Sequence, residues 1–217
     1  MSQRAVPAGG YHRKSLDNSW RTPEWLLDCV RTYFGGQIPL DAASSAGNPT
    51  RAAVYLVPPA GPMFAEFDPG HQARERADRQ LTLIEPSEGE LVGEQILADG
   101  LVEDWPGDAA WVNPPYGSHL LTWLERIAVM GAGEGRDVVA LIPTSRWEVA
   151  RFQAAWSRAD LVTFVRKRIA FVSAIDGAAV KGNTSGSMLL GFNAREGAWI
   201  EAFGHLGLTI RPTPVTP

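Results

Sequence analysis

Cysteine is almost absent from this chain of 217 residues, in which Cys29 is the only one. A single thiol cannot form an internal disulfide, so we expect a protein of a reducing compartment. No apolar run approaches the roughly 18 to 20 residues that cross a bilayer, and the first residues lack the apolar stretch of a signal peptide. These absences predict a cytoplasmic protein with no membrane partner.

Histidines and nucleotide-binding glycines are also scarce. The histidines His12, His71, His119 and His205 are scattered without metal-ligand spacing, so we predict no metal site. The glycine-rich segment 131–135 follows a predicted helix and precedes a predicted strand. A dinucleotide loop requires the reverse order, with the phosphate at a helix N-terminus. The lack of a glycine fingerprint after the first strand therefore disfavours a dehydrogenase.

The charges are unevenly distributed, although the net charge of -4 does not by itself indicate a nucleic-acid-binding protein. Residues 58–108 carry twelve acids and three arginines, whereas residues 144–183 carry seven lysines or arginines and three acids. The segment 1–19 is also basic. We therefore expect a polyanion to approach the C-terminal half and this arm. The candidate phosphate contacts are Arg146, Arg166, Lys167 and Arg168, unless these side chains only decorate solvated helix faces.

The length and the apolar fraction of 45% fit one folded domain. We predict a flexible basic arm over residues 1–19, a single domain over 20–217, and an acidic insertion at about 58–98. Thr22 and Pro23 predict a helix start, with Thr22 as the cap, and Gly35-Gly36 predicts its end.

Helices and apolar strands alternate along the rest of the chain. We predict strands at 38–40, 54–57, 109–112, 138–142, 161–165, 169–172 and 187–192. Further helices are predicted at 72–83, 120–128, 145–156 and 199–206, the third of these begun by a capping box of Ser145 and Glu148. Alternation of this kind predicts an α/β three-layer sandwich.

The most informative segment is the tetrapeptide Asn113-Pro114-Pro115-Tyr116, which follows the apolar strand ending in Trp111-Val112. Two prolines end both a strand and a helix, since neither has a backbone N–H. The Asn113 side-chain oxygen and the Pro114 carbonyl can each accept one hydrogen of an exocyclic amino group, while Tyr116 stacks on the ring that carries it. The alternative is a tight turn in which Asn113 bonds only to nearby backbone.

This tetrapeptide resembles the Asn/Asp-Pro-Pro-Tyr/Phe motif of S-adenosylmethionine-dependent amino-methyltransferases. The wider pattern resembles the phage-type DNA N6-adenine methyltransferases (the phage Dam family), a resemblance that covers nearly the whole chain except the arm and residues 58–98. It implies the Rossmann-like three-layer sandwich of the class I S-adenosylmethionine-dependent methyltransferases. The segments that carry it, besides the tetrapeptide, are Trp20, Thr22-Pro23, Leu40-Asp41-Ala42-Ala43-Ser44, Asp99-Gly100-Leu101, Trp105, 168–171 and 187–190.

The resemblance implies a phage or prophage enzyme of DNA methylation or restriction–modification, with DNA as partner and S-adenosylmethionine as cofactor. Asn113, Pro114, Pro115 and Tyr116 would be catalytic. The implied cofactor-binding residues are Trp20, Thr22, Pro23, Asp41, Ala43, Ser44 and Asp99.

Within this set, the resemblance implies particular contacts for Asp41, Asp99 and Thr22. Asp41 can pair with the cationic amino group of the methionine moiety, although a structural carboxylate is the alternative. Asp99 would accept from the ribose hydroxyls or from the adenine amino group, and Thr22 could be a plain helix cap instead of a ligand. The chain departs from many adenine methyltransferases because Asp41-Ala42-Ala43-Ser44 replaces a glycine-rich turn with other small residues.

Two other functions fit the sequence. Asn-Pro-Pro-Tyr also serves methyltransferases that act on a glutamine side-chain amide of a protein or on adenine in RNA, since both present a planar amino group. The missing glycines also leave open an inactive nucleic-acid-binding remnant of the fold. The recognised DNA sequence, the preference for duplex or single strand, and the oligomeric state stay open.

Overall fold

The computed structural model describes residues 20–45, 47–59, 93–173, 177–180 and 185–213. The predicted arm and the predicted helix 72–83 lie outside these ranges. The described strands are β1 (Trp20–Arg21), β2 (Leu40–Asp41), β3 (Val54–Val57), β4 (Glu94–Leu97), β5 (Ala109–Val112), β6 (Asp137–Pro143), β7 (Leu161–Val165), β8 (Val172–Ser173), β9 (Ser187–Phe192) and β10 (Gly207–Ile210).

Eight of these strands form one sheet in the order β10-β7-β9-β6-β5-β2-β3-β4. The neighbours from β4 to β6 pair in parallel, while β9 lies antiparallel between β6 and β7, and β10 lies antiparallel to β7. The strands β5, β6 and β7 therefore point the same way. Their carboxyl ends meet at one edge of the sheet, together with those of β2, β3 and β4.

Helices cover both faces of the sheet. The helices are α1 (Glu24–Phe34), α2 (Leu120–Ala128), α3 (Ala150–Trp156) and α4 (Glu196–Phe203). Side chains of α2 and α3 share one buried cluster with Val112 and Ala140, and side chains of α1 and α4 share another with Trp111 and Leu141. Successive strand residues alternate between these clusters, as the pleat requires. The predicted α/β sandwich of Rossmann-like methyltransferase type is confirmed.

Helix α1 is held in place at its C-terminal end. Gly35 ends it in the left-handed conformation, with a φ of 82°, which confirms the predicted stop. Near this end the Tyr33 hydroxyl donates to the Asp137 carboxylate at 2.6 Å, and Arg195 pairs with the same carboxylate at 3.1 Å. Burial raises the pKa of Asp137. Because Asp137 begins β6, this network lies at the sheet edge opposite the carboxyl ends, and the first turn of α1 lies at the carboxyl edge.

The two predicted caps are wrong. Pro23 is the N-cap of α1 and no side chain caps that helix, because the Thr22 hydroxyl is engaged elsewhere. Helix α3 begins at Ala150 with Val149 as its N-cap, so Ser145 and Glu148 form no capping box. Arg146 has a φ of 70°, and a left-handed residue cannot lie inside a right-handed helix.

The predicted limits of the central strands are nearly correct. Three differences between prediction and structure concern strands away from the centre of the main sheet. The segment 169–172 is not a strand of the main sheet, because β8 begins only at Val172 and pairs with β1 in a separate two-stranded sheet. Glu94–Leu97 forms β4 within the range predicted for the insertion, and β10 was not predicted. None of the described helices is both long and apolar enough to cross a membrane.

Candidate active site

The order of the strands reverses between β2 and β5. From β2 the sheet continues to β3 and β4, and from β5 it continues to β6. Asp41 is the register partner of Trp111, and the Ala42 N–H donates to the Trp111 carbonyl at 3.1 Å. Open α/β sheets bind ligands in the crevice outside the carboxyl ends at such a reversal. Asp41 and Asn113, at the ends of these two strands, are therefore brought to one place.

Asp41 is a buried carboxylate with few partners. Its side chain is 3% exposed and accepts hydrogen bonds from the Thr50 hydroxyl at 2.8 Å and from the Ala43 N–H at 3.2 Å. Burial raises the pKa of Asp41 to about 6, against the opposing effect of these bonds. No described cation pairs with it. A ligand that brings a positive charge would relieve the desolvation of this carboxylate.

Close backbone contact joins the loop after β2 to the loop after β4. A Cβ atom built on Gly100 would lie 1.9 Å from the Ala42 carbonyl oxygen. The Asp99 carboxylate accepts from the Leu101 N–H at 2.9 Å, and the buried Trp105 indole donates to the Gly100 carbonyl at 2.6 Å. Asp99 is therefore fixed beside the same loop that holds Ala43 and the buried Ser44.

The Gly100→Ala variant should be destabilised by roughly 2 kcal/mol or more, because the added methyl group would overlap the Ala42 carbonyl and the backbone must shift. Chemical denaturation measures the change in the free energy of unfolding. Gly197→Ala in α4 is the matched control, since no heavy atom beyond its chain neighbours and its own helix backbone lies within 4 Å of its added Cβ. Equal stability of the two variants would contradict the packing described for Gly100.

Asn113 continues the alternation of β5 and so lies on the α1 side of the sheet. Its Nδ2 donates to the Thr22 Oγ1 at 3.1 Å. Its Oδ1 is buried and has no hydrogen-bond partner among the described residues. An unpaired buried acceptor costs about 1–3 kcal/mol, so this oxygen is ready for a donor that a ligand would bring. Pro114 is buried and Pro115 is exposed.

An aromatic group borders the tetrapeptide. The Tyr116 ring meets Phe171 edge to face at a centroid distance of 5.9 Å, and the Trp20 ring is tilted against Phe171 at the same centroid distance of 5.9 Å. The Tyr116 hydroxyl lies 3.5 Å from the Leu141 carbonyl, and burial raises the pKa of Tyr116. Trp20 and Tyr116, separately predicted as site residues, are therefore joined by Phe171, whose role was not predicted.

The predicted nucleic-acid contacts follow the ends of two other strands. Arg146 lies in the loop after β6, and Arg166, Lys167 and Arg168 directly follow β7. Because β5, β6 and β7 run in the same direction, these four exposed cations lie at the sheet edge that holds Asn113. Trp147, next to Arg146, is 65% exposed and was not predicted as a site residue.

The part of the chain that the structure describes contains no set of side chains that could bind a metal ion. No group of three or more His, Cys, Asp or Glu side chains there could hold an ion. The polar groups at the ends of β2 and β5 are a buried carboxylate, an amide and hydroxyls. Such groups bind organic ligands through hydrogen bonds and charge.

Sheet topology and the site at the strand reversal together define a protein of the Rossmann-like methyltransferase class. Residues 95–202 match the family model described as DNA N-6-adenine-methyltransferase (Dam), and the chain belongs to this family. The matched region includes the tetrapeptide, Asp99 and the four predicted cations, whereas Trp20, Thr22 and Asp41 lie before it. A comparison with curated proteins finds no match.

Proposed function

We propose that this protein transfers a methyl group from S-adenosylmethionine to the exocyclic amino group of adenine in DNA. Membership of the Dam family supports this reaction. The observation that carries the proposal is the Asn113 oxygen, which has no partner among the described residues and lies at the strand reversal, next to the end of the strand that bears Asp41. The resemblance to phage-type enzymes supports a phage or prophage origin.

The residues around the end of β2 fit this cofactor. Asp41 is a buried carboxylate without a cationic partner among the described residues, which suits the ammonium group of the methionine moiety. Ala43 and Ser44 have small side chains, and the close approach at Gly100 places Asp99 beside them. When bound, S-adenosylmethionine supplies an electrophilic methyl group on a sulfonium. Trp20 and Pro23 would complete the wall of this pocket, whereas the Thr22 hydroxyl is bonded to Asn113.

The tetrapeptide would prepare the amino nitrogen for attack. The lone pair of this nitrogen is delocalised into the purine ring, so adenine is a weak nucleophile. The Asn113 Oδ1 and the Pro114 carbonyl would each accept one amino hydrogen and favour a tetrahedral nitrogen with a free lone pair. Both acceptors are fixed before the reaction, which reduces its reorganisation cost. A neutral amide cannot take the proton, so the proton leaves to water after the new N–C bond has formed.

Adenine inside a duplex cannot reach this site. The base would be rotated out of the helix, at an unstacking cost of a few kcal/mol, and stacked on Tyr116. Arg146, Arg166, Lys167 and Arg168 would hold the phosphates, because they are exposed at the same sheet edge.

The proposal is tested by expressing the chain in a methylation-free host and sequencing the methylated positions of the DNA. We expect N6-methyladenine at a defined sequence. Transfer of a labelled methyl group to protein or RNA instead of DNA would favour the other methyltransferase classes. Calorimetry with S-adenosylhomocysteine separates an enzyme from an inactive remnant, since the remnant should bind none.

Replacing Arg166, Lys167 and Arg168 together by alanine should weaken DNA binding. It should also lower the slope of log K against log salt concentration by about 2 to 3, because each lost phosphate contact removes about 0.9.

Trp147→Ala should also weaken DNA binding, with little change in this slope, since an exposed indole contributes stacking instead of charge. Fluorescence anisotropy over a range of salt concentrations measures both effects.

The matched control is Arg158→Ala. Arg158 is also exposed, but it precedes β7 and therefore lies at the opposite edge of the sheet. We expect its DNA affinity to equal that of the wild type. If Arg158→Ala weakened binding as much as the triple variant, the DNA would not be confined to the carboxyl edge.

A further inference from the structure

The segment before α1 is fixed more firmly than a helix cap requires. Strand β1 pairs with β8, with Trp20 opposite Ser173 and Arg21 opposite Val172. The Trp20 ring also packs against the buried Phe171. Thr22 follows directly and is only 8% exposed. Its position is thus determined by the small sheet on one side and by the start of α1 on the other.

The Thr22 hydroxyl does not cap the helix. No side-chain cap of α1 is found among the described residues, and the N–H groups of Leu26 and Leu27 bond to the Pro23 carbonyl. The Thr22 Oγ1 instead accepts from the Asn113 Nδ2 at 3.1 Å, across 91 positions of sequence. The buried Thr22 hydroxyl therefore bonds to the tetrapeptide and not to the helix that follows it.

In this contact the amide nitrogen is the donor, so the acceptor end of the amide is the end left free. An amide group has a donor end and an acceptor end, and the amino group of the target base offers hydrogens that only the acceptor end can receive. If Nδ2 faced the base, two donors would meet. With Nδ2 bound to Thr22, the free atom is Oδ1, which is buried and without a partner among the described residues.

We propose that Thr22 is a positioning residue, which holds the Asn113 amide with its oxygen toward the target amino group. This inference rests on the proposed methylation of an amino group and assigns Thr22 a role in the chemical step. A contact between Thr22 and the cofactor would affect cofactor affinity, whereas a contact with Asn113 affects turnover. The two roles therefore predict different kinetics.

Thr22→Val keeps the shape of the side chain and removes the hydroxyl. We expect kcat to fall about tenfold, because one hydrogen bond that orders the acceptor is lost. The Kd for S-adenosylhomocysteine should stay within about twofold. Thr22→Ser restores the hydroxyl and should recover kcat to within about threefold of the wild type. Unchanged kcat in Thr22→Val, or a Kd that rises as much as kcat falls, would overturn the inference.

A second measurement uses Asn113→Asp, combined with either threonine or valine at position 22. A buried carboxylate has a raised pKa, and a hydroxyl that donates to it lowers the pKa again. The Thr22 hydroxyl can rotate to donate to the carboxylate that Asn113→Asp introduces, but valine has no hydroxyl to donate. The activity of Asn113→Asp should therefore rise with pH. The pH at the midpoint of this rise should be higher when Thr22→Val is also present.

Equal midpoints in the two backgrounds would overturn the inference, because a Thr22 that only supports the fold would not change the titration of position 113. Thermal unfolding of each variant accompanies the kinetics, and Thr22→Ser provides the comparison if Thr22→Val folds poorly. Lack of turnover by the wild type would refute the proposed function itself. Wild-type turnover that Thr22→Val leaves intact refutes the role of Thr22 alone.

Discussion

Asn113→Ala should lose methyl transfer by a factor on the order of 10³ while it binds S-adenosylhomocysteine as tightly as the wild type. The lost oxygen is the acceptor at the end of β5 that no described residue bonds to, and removing one preorganised polar group from an active site costs about 10² to 10³ in kcat. The amide contributes no charge to the pocket around Asp41. Single-turnover transfer of a labelled methyl group measures the rate, and calorimetry measures the affinity.

The comparison for this variant is Asn113→Asp, which keeps two oxygen acceptors. We expect it to retain measurable activity once its carboxyl group is ionised, because acceptance of the amino hydrogen does not require an amide. Turnover by Asn113→Ala close to that of the wild type would refute the role of this side chain. A parallel loss of cofactor affinity would show that Asn113 supports the pocket instead of the chemical step.

The interior strands were predictable because their environment is simple. The segment predicted at 138–142 is apolar throughout, and β6 is buried on both faces by the helices that cover the sheet. The segment 169–172 is also mainly apolar, but Ile169 and Phe171 fill the α1-side cluster from a stretch that pairs with no strand of the main sheet. Apolar periodicity records burial and does not distinguish a strand from a packed loop.

The position of the candidate site was predictable where one short segment carries it. The tetrapeptide and Asp41 each end a strand, and the strand reversal brings them together. The contact between Thr22 and Asn113 depends on two segments far apart in sequence, and the local pattern before α1 favoured a cap. Trp147 was missed for a related reason, since an aromatic residue is usually read as part of the core, and only the structure shows it exposed.

Asp41→Asn should stabilise the ligand-free protein and weaken its binding of the cofactor. Burial raises the pKa of Asp41 from 3.8 to about 6. The native state therefore binds a proton more tightly than the unfolded chain, and this contribution to stability is lost as the pH rises from about 4 through about 6. The loss is about 3 kcal/mol when complete. An uncharged side chain avoids it, provided that the asparagine oxygen accepts from the Ala43 N–H and its amide nitrogen donates to the Thr50 hydroxyl, because these two groups bond to different oxygens of Asp41.

Denaturation at pH 4 and pH 8 measures this effect. The advantage of Asp41→Asn over the wild type should grow by up to about 3 kcal/mol between these values. The Asp41→Asn variant should, in contrast, bind S-adenosylhomocysteine more weakly than the wild type does. The loss of a charge-assisted contact worth about 1.5–3 kcal/mol raises the Kd for S-adenosylhomocysteine roughly 10- to 100-fold.

In the wild type the affinity for S-adenosylhomocysteine should decline below about pH 6, because Asp41 takes up a proton and its negative charge disappears. A variant that gained stability at pH 8 and still bound the cofactor normally would show that this carboxylate is structural. A carboxylate kept in a buried place at a cost to stability indicates a ligand that needs its charge. The paired measurement therefore tests whether the end of β2 is a cofactor site independently of any methylation assay.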